Sequence, residues 1–394
     1  MSSRVPARWG LLAGASFAGV SLGAYELAPA SVTPLIRDSL GIGSSAAGLV
    51  VGVMFGTAVV ASLPAGVVLD RTDSRWALAA AVVGLVVAGG WGWLAATGGA
   101  YWSLLASRIL GGVAYTVVWN AGIDVVGRSF DAEYQATAVT VFTASGPIGF
   151  AVGQGGAPIV AEAFGWAAIF PAFSAPALLG LALFWPTSRG RGRISEGDVP
   201  TLSDFRAVVT SRQVWTVGGL GFLGYGLYLF INNWAPSYLN EELALSLGLS
   251  GLIVALFPAI GVVGRVSGGL LSDRFFDGRR RPVLLLAFLV AAPVTAGFTL
   301  LRPVPVVVGG LLVAGLAIQL CLGLSFAYVR ELVEPTVAAT AVAFLTSVGL
   351  AGAFVSPIVG GAVIDAAGYD TAFLLVGGLG FLGVLLAWYA PEAA

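Results

Sequence analysis

The amino-acid sequence predicts an all-α membrane protein of twelve transmembrane helices arranged in two similar halves. Hydrophobic residues make up 58% of the 394 residues and charged residues only 10%, whereas about a quarter of the residues of a soluble globular protein are charged. A short polar pattern, Gly-x-x-x-Asp-Arg, begins at Gly66 and again at Gly269. Each copy follows an apolar run long enough to cross a bilayer as a helix. This repetition indicates two copies of one structural plan.

Twelve apolar segments, each bounded by charged residues or turn formers, have the length that a spanning helix needs. They fall at 9–35, 46–69, 77–97, 102–126, 136–160, 166–186, 214–236, 247–271, 282–301, 304–328, 338–361 and 371–390. The longest polar interruption lies between the sixth and the seventh segment and is rich in arginine. We therefore expect an N-terminal six-helix bundle at 1–186, a cytoplasmic linker at 187–212 and a C-terminal six-helix bundle at 213–394.

The distribution of arginine predicts the orientation of the helices, because cytoplasmic loops of membrane proteins are enriched in basic residues. The chain has 19 arginines and no lysine. Arg37 and Arg302 fall in outer loops, Arg108 and Arg265 fall within apolar segments, and every other arginine falls on the side that holds the N-terminus. We expect a multi-pass protein of the cytoplasmic membrane with both termini in the cytoplasm.

The composition also excludes several classes of function. A net charge of −1 offers no basic surface for nucleic acid. Histidine, the commonest metal ligand and general base, is absent, and the one cysteine, Cys321, lies in an apolar segment. Two GxGxxG strings, at Gly219 and Gly378, lie inside apolar segments, where they favour helix packing over nucleotide binding. We therefore expect no enzyme, no metal, no cofactor and no ATP hydrolysis by the chain itself.

The repeated loop predicts a hinge between packed helices. A glycine at the end of an apolar helix lets a neighbouring backbone come close, and a carboxylate such as Asp70 can cap the positive end of another helix. Asp124, near the inner end of the fourth segment, is expected to join Asp70, Arg71 and Arg75 in a cytoplasmic ion-pair cluster. The alternative is a solvated turn whose charges only fix orientation. The gating residues that we assign from this loop are Gly66, Asp70, Arg71, Arg75, Asp124, Gly269, Asp273 and Arg274.

These motifs resemble those of the major facilitator superfamily along essentially the whole chain. The repeated loop is similar to the family's signature between helices 2 and 3, although Asp73 and Trp76 stand where a glycine and a second basic residue are usual. The string that starts at Arg108 resembles the helix 4 motif, and Gly146-Pro147, which we also assign to gating, loosely matches the helix 5 motif of exporters. The resemblance implies a central cavity between two bundles that opens alternately to each side, with the ion-pair cluster holding the outward-open state.

Charged residues within the apolar segments are the expected centre of the chemistry, because an unpaired ion at the bilayer centre costs about 3 kcal/mol or more. Glu26 and Arg108 lie at similar depth, roughly 12 Å and 9 Å from the outer ends of their helices. We expect them to meet, with Glu26 binding the coupling proton and Arg108 tuning its proton affinity. The resemblance to proton-coupled members supports this assignment. A static ion pair, and Na⁺ in place of H⁺, remain alternatives.

Arg265 is the expected anion site, roughly 12 Å inside the inner end of the eighth segment. The string from Arg265 to Asp273 resembles organic-anion and monocarboxylate carriers, in which an arginine at this place contacts the substrate carboxylate. The alternative is an arginine that snorkels to the interface. Tyr115 and Trp119 share a helical face with Arg108. The predicted substrate-binding residues are Arg265, Arg108, Tyr115, Trp119, Asn120 and Tyr225.

Other polar residues of the apolar segments are better explained by contacts between helices than by substrate binding. These residues include Gln154, Asn232, Asn233, Gln319 and Tyr328. The leading hypothesis is a monomeric, proton-coupled secondary transporter of a small organic or inorganic anion, embedded in the lipid bilayer and working by alternating access. A proton-driven exporter of drugs or cations would leave Arg265 without a role, and a non-transporting sensor would be expected to carry a sizeable soluble region. Substrate identity and direction of transport are left open.

Overall fold

The computed structural model describes residues 4–189 and 202–392, and within these ranges the chain is helical and contains no β-strand. The helices of the N-terminal part are α1 (Arg4–Ser31), α2 (Thr33–Leu40), α3 (Ser44–Arg71), α4 (Ser74–Thr97), α5 (Tyr101–Ser129), α6 (Ala132–Phe164), α7 (Ile169–Ser174) and α8 (Ala177–Thr187). Those of the C-terminal part are α9 (Leu202–Thr210), α10 (Arg212–Glu241), α11 (Leu247–Phe275), α12 (Arg280–Ala296), α13 (Val304–Glu331) and α14 (Ala338–Tyr389). The predicted all-α class is confirmed.

All twelve predicted apolar segments lie in helical parts of the chain, and the sixth, 166–186, covers the 3₁₀ turn Trp166–Ala168, α7 and α8. Ten described helices are long and apolar enough to cross a membrane. The longest, α14, contains the last two predicted segments, which are separated at Gly368, where φ is 79° and ψ is 175°. The ninth predicted segment corresponds to α12, of 17 residues, and the short 3₁₀ turn Phe298–Leu300 after it. The helix count agrees with the twelve-helix fold.

One boundary differs from the prediction at the end of the first segment. The helix α1 ends at Ser31, and the short helix α2 starts afterwards with Pro34 in its first turn. Proline fits the first turn of a helix because its missing N–H would have no partner there. The predicted run 9–35 is therefore a spanning helix followed by the start of a separate helix.

The chain forms two compact units. The first contains Met1–Ile42, Val60–Gly197 and Leu247–Ala255, and the second contains Gly43–Val59, Asp198–Ser246 and Leu256–Ala394. The helices α3 and α11 each contribute to both units. The division into sequential halves around a linker at 187–212 stays a prediction, and residues 190–201 of that linker lie outside the described residues.

Backbone contact between α1 and α6 holds the first unit together. A methyl group on Gly23 would lie 2.8 Å from the carbonyl oxygen of Gly146, and one on Gly153 would lie 2.6 Å from that of Ala24. Small residues at such contacts are typical of helices in lipid, where association depends on close packing rather than on the hydrophobic effect. The motif glycine Gly146 therefore has a packing role in addition to the predicted gating role.

In the second unit, the N-terminal part of α3 packs closely against the part of α14 that precedes Gly368. A methyl group on Gly52 would lie 2.8 Å from the carbonyl oxygen of Phe354. At the first turn of α3, the Asp365 carboxylate accepts hydrogen bonds from the backbone N–H groups of Ser44 and Ser45, at 2.8 and 3.1 Å. Asp365 thus caps the N-terminus of α3, where backbone N–H groups have no partner within the helix.

The helix α3 contains Pro64 in its interior. Proline cannot donate a backbone hydrogen bond, so the carbonyl of Val60, four residues earlier, loses its usual helical partner. Val60 is also the residue at which α3 passes from the second compact unit to the first.

Candidate functional site

Arg108 on α5 binds the backbone of α1. Its side chain is fully buried, and its Nη1 and Nη2 atoms donate hydrogen bonds to the carbonyl oxygens of Tyr25 and Glu26, at 2.9 and 2.7 Å. The guanidinium carbon also lies 4.6 Å from the centre of the Tyr25 ring, a cation–π distance. Arg108 and Glu26 meet, as predicted. The hydrogen bonds of Arg108, however, go to main-chain oxygens of α1 and not to the Glu26 carboxylate.

Pro29 explains why a carbonyl of α1 accepts a hydrogen bond from Arg108. Proline has no N–H, so it cannot bond to the carbonyl four residues earlier, which is that of Tyr25. Within a membrane the freed carbonyl needs another partner. The guanidinium of Arg108 supplies one. A proline three residues after an intramembrane acid was the signal in the sequence for this contact.

The carboxyl group of Glu26 lies in an environment with few polar partners. The residue is 1% exposed, and neither carboxyl oxygen accepts a hydrogen bond from the described residues. Ionising a buried carboxyl group is costly unless charge or hydrogen bonds compensate. Arg108 supplies the nearby positive charge. The role of Glu26 as a proton site stays a prediction.

The predicted aromatic stripe of α5 lies against α6. The rings of Tyr115 and Trp119 are 6.3 Å apart, and the Trp119 ring lies 5.3 Å from that of Phe142. A methyl group on Gly146 would lie 3.1 Å from the Trp119 ring, so this glycine makes room for the indole. The next residue in the helix, Asn120, is exposed. Tyr115 and Trp119 are half-buried, and their role in substrate binding stays a prediction.

The second unit places Arg265 against Gln319. Arg265, on α11, is half-buried and donates from Nε to Oε1 of Gln319 on α13, at 3.0 Å. Gln319 is fully buried. Tyr228 of α10 lies near Arg265 and within hydrogen-bonding reach of the side chains of Gln319 and Asn232. Sequence reasoning assigned Gln319 to contacts between helices, and its side chain does lie between α11 and α13.

Tyr225, the remaining predicted binding residue, lies one turn before Tyr228 on α10. It is half-buried, and its ring packs against Gly349 of α14, where a methyl group would lie 2.7 Å from the ring. The structure therefore groups Tyr225 with the second-unit residues. Arg108, Tyr115 and Trp119 belong to the first unit, and substrate binding by both groups of residues stays a prediction.

The first copy of the repeated loop forms several polar contacts. Asp124 accepts from Arg128 at 2.6 Å and from Ser74 at 2.7 Å. Arg75 donates to Ser188 at 3.1 Å. The side chain of Asp70 lies outside the described residues, and Arg71 is exposed. The predicted pairing of Asp124 with Asp70, Arg71 and Arg75 stays a prediction.

Asp73 departs from the family pattern for a local reason. Its carboxylate accepts a hydrogen bond from the backbone N–H of Arg75 at 2.9 Å and caps the first turn of α4. Aspartate is among the preferred residues at this position of a helix. The exposed Trp76 packs edge-on against Trp185, with ring centres 4.4 Å apart.

At the second copy of the repeated loop, the shortest ion pairs are made by Arg280, a residue that sequence reasoning did not single out. Arg280 donates to Asp273 at 2.6 Å and to Glu331 at 2.9 Å, so it joins the ends of α11 and α13 to the start of α12. The hydrogen bond to Glu331, followed by that to Asp273, raises the pKa of Arg280 above its ordinary value. Arg274 is exposed. Among the described residues, no atom lies within 4 Å of a methyl group placed on Gly66 or Gly269, so neither glycine makes a close contact.

The model of the protein family described as Major Facilitator Superfamily matches residues 10–277 and 268–394 of this chain. The chain belongs to this superfamily. Among its relatives, a hexuronate transporter of Bacillus subtilis is 22% identical over 88% of this chain and 86% of that protein. A probable L-galactonate transporter of Escherichia coli is 24% identical over 84% and 77%. The superfamily and these relatives identify a multi-pass membrane transporter, not an enzyme.

A solved structure supports the fold assignment. A bacterial homologue of the human lysosomal transporter Spinster, in an inward-facing and occupied conformation, superimposes with a TM-score of 0.81. The match covers 98% of this chain and 97% of that one at 15% identity, so the likeness concerns the fold alone. Major facilitator transporters with this fold reside in membranes, in agreement with the apolar helices of this chain.

Proposed function

We propose that this protein is a monomeric, proton-coupled secondary transporter that moves a small organic anion across the cytoplasmic membrane by alternating access. The observation that carries the proposal is the environment of Glu26. Its carboxyl group is buried, accepts no hydrogen bond from the described residues and lies beside the guanidinium of Arg108. The proposed orientation, with both termini in the cytoplasm, follows from the arginine distribution.

Proton binding at Glu26 follows from the balance of two opposing effects. Removal from water disfavours the charged carboxylate, whereas the guanidinium of Arg108 favours it. Arg108 belongs to α5 and Glu26 to α1, so a movement of α1 relative to α5 that breaks the hydrogen bonds of Arg108 to the carbonyls of Tyr25 and Glu26 would separate the two charges. A conformational change would therefore alter the proton affinity of Glu26, which is the requirement for coupling. The same carboxylate could bind Na⁺, and the transport experiment distinguishes the two ions.

An anionic substrate is supported by Arg265 and by the relatives. Arg265 is half-buried and lies within the apolar part of α11. The nearby side chains of Gln319, Tyr228 and Asn232 are neutral. An arginine in such a position favours a carboxylate, which it can bind with two parallel hydrogen bonds. The relatives named above transport hexuronate and, in the second case, L-galactonate according to their descriptions. Sugar acids are therefore the first substrates to test.

Transport by Glu26→Gln in proteoliposomes tests the coupling. Glutamine resembles the protonated acid, so this variant should exchange D-glucuronate or D-galactonate across the membrane but should not concentrate either substrate in response to a pH gradient. The matched control is Glu162→Gln, which alters an exposed glutamate of α6. Uphill, pH-driven transport by Glu26→Gln would contradict the proton assignment, and accumulation driven by a Na⁺ gradient alone would replace H⁺ by Na⁺.

A proton-driven exporter of drugs or cations is the second candidate, favoured by Gly146 and Pro147 on α6. In the structure Gly146 is explained by its contacts with Gly23 and Trp119. Pro147 lies within the helix and would allow it to bend. Transport of a lipophilic cation, with no response to any organic acid, would favour this candidate.

A further inference from the structure

We propose that a groove on the second unit binds one anionic phospholipid, with an acyl chain between α12 and α13 and the phosphate at Arg274 and Arg279. The inference concerns the membrane and is independent of the transported substrate. It gives a ligand to Arg274, the arginine of the second Gly-x-x-x-Asp-Arg loop.

Two apolar cavities adjoin along α12 and α13 and form this groove. The inner cavity also touches α11, the outer cavity lies between the end of α12 and the start of α13, and Val313 lines both. Their volumes are about 200 and 580 Å³, whereas an apolar cavity of about 150 Å³ is enough to hold benzene. The groove therefore has room for a hydrocarbon chain. The larger side chains of the inner cavity are Leu271, Val283, Leu286, Val313, Leu316 and Leu320.

The length and direction of the groove match those of a lipid tail. From Val306 to Leu320 the groove follows α13 for about 21 Å, at 1.5 Å per residue. The hydrocarbon layer of one leaflet is about 15 Å thick, half of the bilayer core. Because α13 is a spanning helix, the groove runs across the membrane, as acyl chains do. Leu286 and Val313 are exposed, so the groove is open to lipid.

Two exposed arginines lie at the inner end of the groove. Arg274 follows Leu271 by three residues on the same face of α11, and Arg279 precedes Val283 by about one turn. Arg274 makes no ion pair with any side chain of the described residues. Arg279 lies 3.7 Å from Asp277 in an exposed pair, and such pairs contribute little energy. Both guanidinium groups are therefore available to a phosphate.

Charge distinguishes the two ends of the groove. The segment 273–281, which joins α11 to α12, contains four arginines and two aspartates and has a net charge of +2. At the outer end, Arg302 shares the surroundings of Tyr238 with the acids Asp370 and Glu242. An anionic headgroup is thus favoured at the inner end, which the arginine distribution assigns to the cytoplasm.

The chemistry of arginine suits this place. A guanidinium can bind a phosphate through two parallel hydrogen bonds. The apolar stem of an arginine can lie along a hydrophobic surface while its charged end stays at the membrane interface. Anionic lipids of the cytoplasmic leaflet attract basic side chains that lie beside the membrane. An apolar groove that ends at two arginines therefore fits a phospholipid with net negative charge, such as phosphatidylglycerol.

Native mass spectrometry of the purified, delipidated full-length protein tests the headgroup site. Phosphatidylglycerol should bind at least about fivefold more tightly than phosphatidylcholine with the same acyl chains, the factor expected from one arginine beside an anionic lipid. Arg274→Gln combined with Arg279→Gln should abolish this preference. Arg212→Gln, which removes an exposed arginine at the start of α10, is the matched control and should retain it. Equal binding of the two lipids by the wild type, or a preference that persists in the double variant, would overturn the proposal.

Filling the groove tests the acyl chain. Val313→Trp places a large side chain where the two cavities meet and should weaken phosphatidylglycerol binding severalfold. Val87→Trp, at a similarly exposed valine of α4 in the first unit, is the control and should bind as the wild type does. Should Val313→Trp prove unstable, Gly309→Leu also enters the groove, where no described atom lies within 4 Å of an added methyl group.

Two further results would contradict the lipid assignment. If sn-glycerol 3-phosphate, which lacks acyl chains, binds as tightly as phosphatidylglycerol, the groove contributes nothing and the site is only an anion site. If the delipidated protein is a dimer that Val313→Trp dissociates, the groove is an interface between two copies of the chain. Lipid binding that requires both the arginines and the open groove supports the proposal.

Discussion

Arg108 holds the backbone of α1 through two carbonyl oxygens, and its positive charge lies beside the carboxyl group of Glu26. Their positions within apolar segments predicted a buried charged pair, and both are buried and adjacent. The sequence did not predict that the guanidinium would bind main-chain oxygens, because this depends on the carbonyl freed by Pro29. It also did not predict that Gln319 would accept a hydrogen bond from Arg265, because residue spacing does not reveal the contact between α11 and α13.

Arg108→Gln tests the electrostatic part of this contact. The variant should leave the Glu26 carboxylate buried without a compensating charge, at a cost on the order of 3 kcal/mol. Adding Glu26→Gln removes that charge and should restore part of the lost stability. Thermal unfolding of the purified variants measures both effects. If the double variant melts at the same temperature as Arg108→Gln, the stabilising role of Arg108 lies only in its hydrogen bonds to the carbonyls.

At the scale of the helix, the cap of α3 could not be predicted from local sequence. Ser44 begins α3 without a notable capping pattern, and the carboxylate that caps it comes from Asp365, 321 residues later. The sequence did predict the helices themselves, since length and hydrophobicity are local properties. Contacts such as those of Arg280 with Asp273 and Glu331 again join separate helices and require the tertiary structure.

Asp365→Ala should destabilise the first turn of α3. Loss of a capping side chain typically costs about 1 kcal/mol, and the helix dipole adds to the effect of a charged cap. Backbone amides near Ser44 and Ser45 should exchange hydrogen several-fold faster, as followed by mass spectrometry. Asp370→Ala, at an exposed acid of the same helix α14, provides the control. Unchanged exchange in Asp365→Ala would show that the cap contributes no stability.

At the scale of the whole molecule, composition and the repeated motif predicted the class of fold, and the superfamily match confirms it. The orientation in the membrane stays a prediction. Hydrophobicity fixes where helices cross a bilayer, whereas orientation depends on loop charges and on insertion. The charges of the loops, rather than the hydrophobicity of the helices, therefore determine the direction of the chain.

Cysteine labelling in intact cells tests this orientation. A cysteine at Ser195, in the predicted cytoplasmic linker, should react with a membrane-impermeant maleimide only after the cells are permeabilised. A cysteine at Ala244, exposed in the turn between α10 and α11, should react from outside. The native Cys321 is buried and gives little background. Labelling of the Ser195 position in intact cells would invert the predicted topology.

Pro64 weakens α3 at the place where the helix passes from one compact unit to the other. The hydrogen bond that it cannot make would have reached Val60, and Val60 is where α3 leaves the second unit and enters the first. A helix that lacks one backbone hydrogen bond bends there at lower energetic cost than elsewhere. We therefore expect α3 to be most flexible between Val60 and Pro64. The capped first turn of α3 and its last turn, which contains Asp70 and Arg71, could then change direction independently while the helix remains continuous.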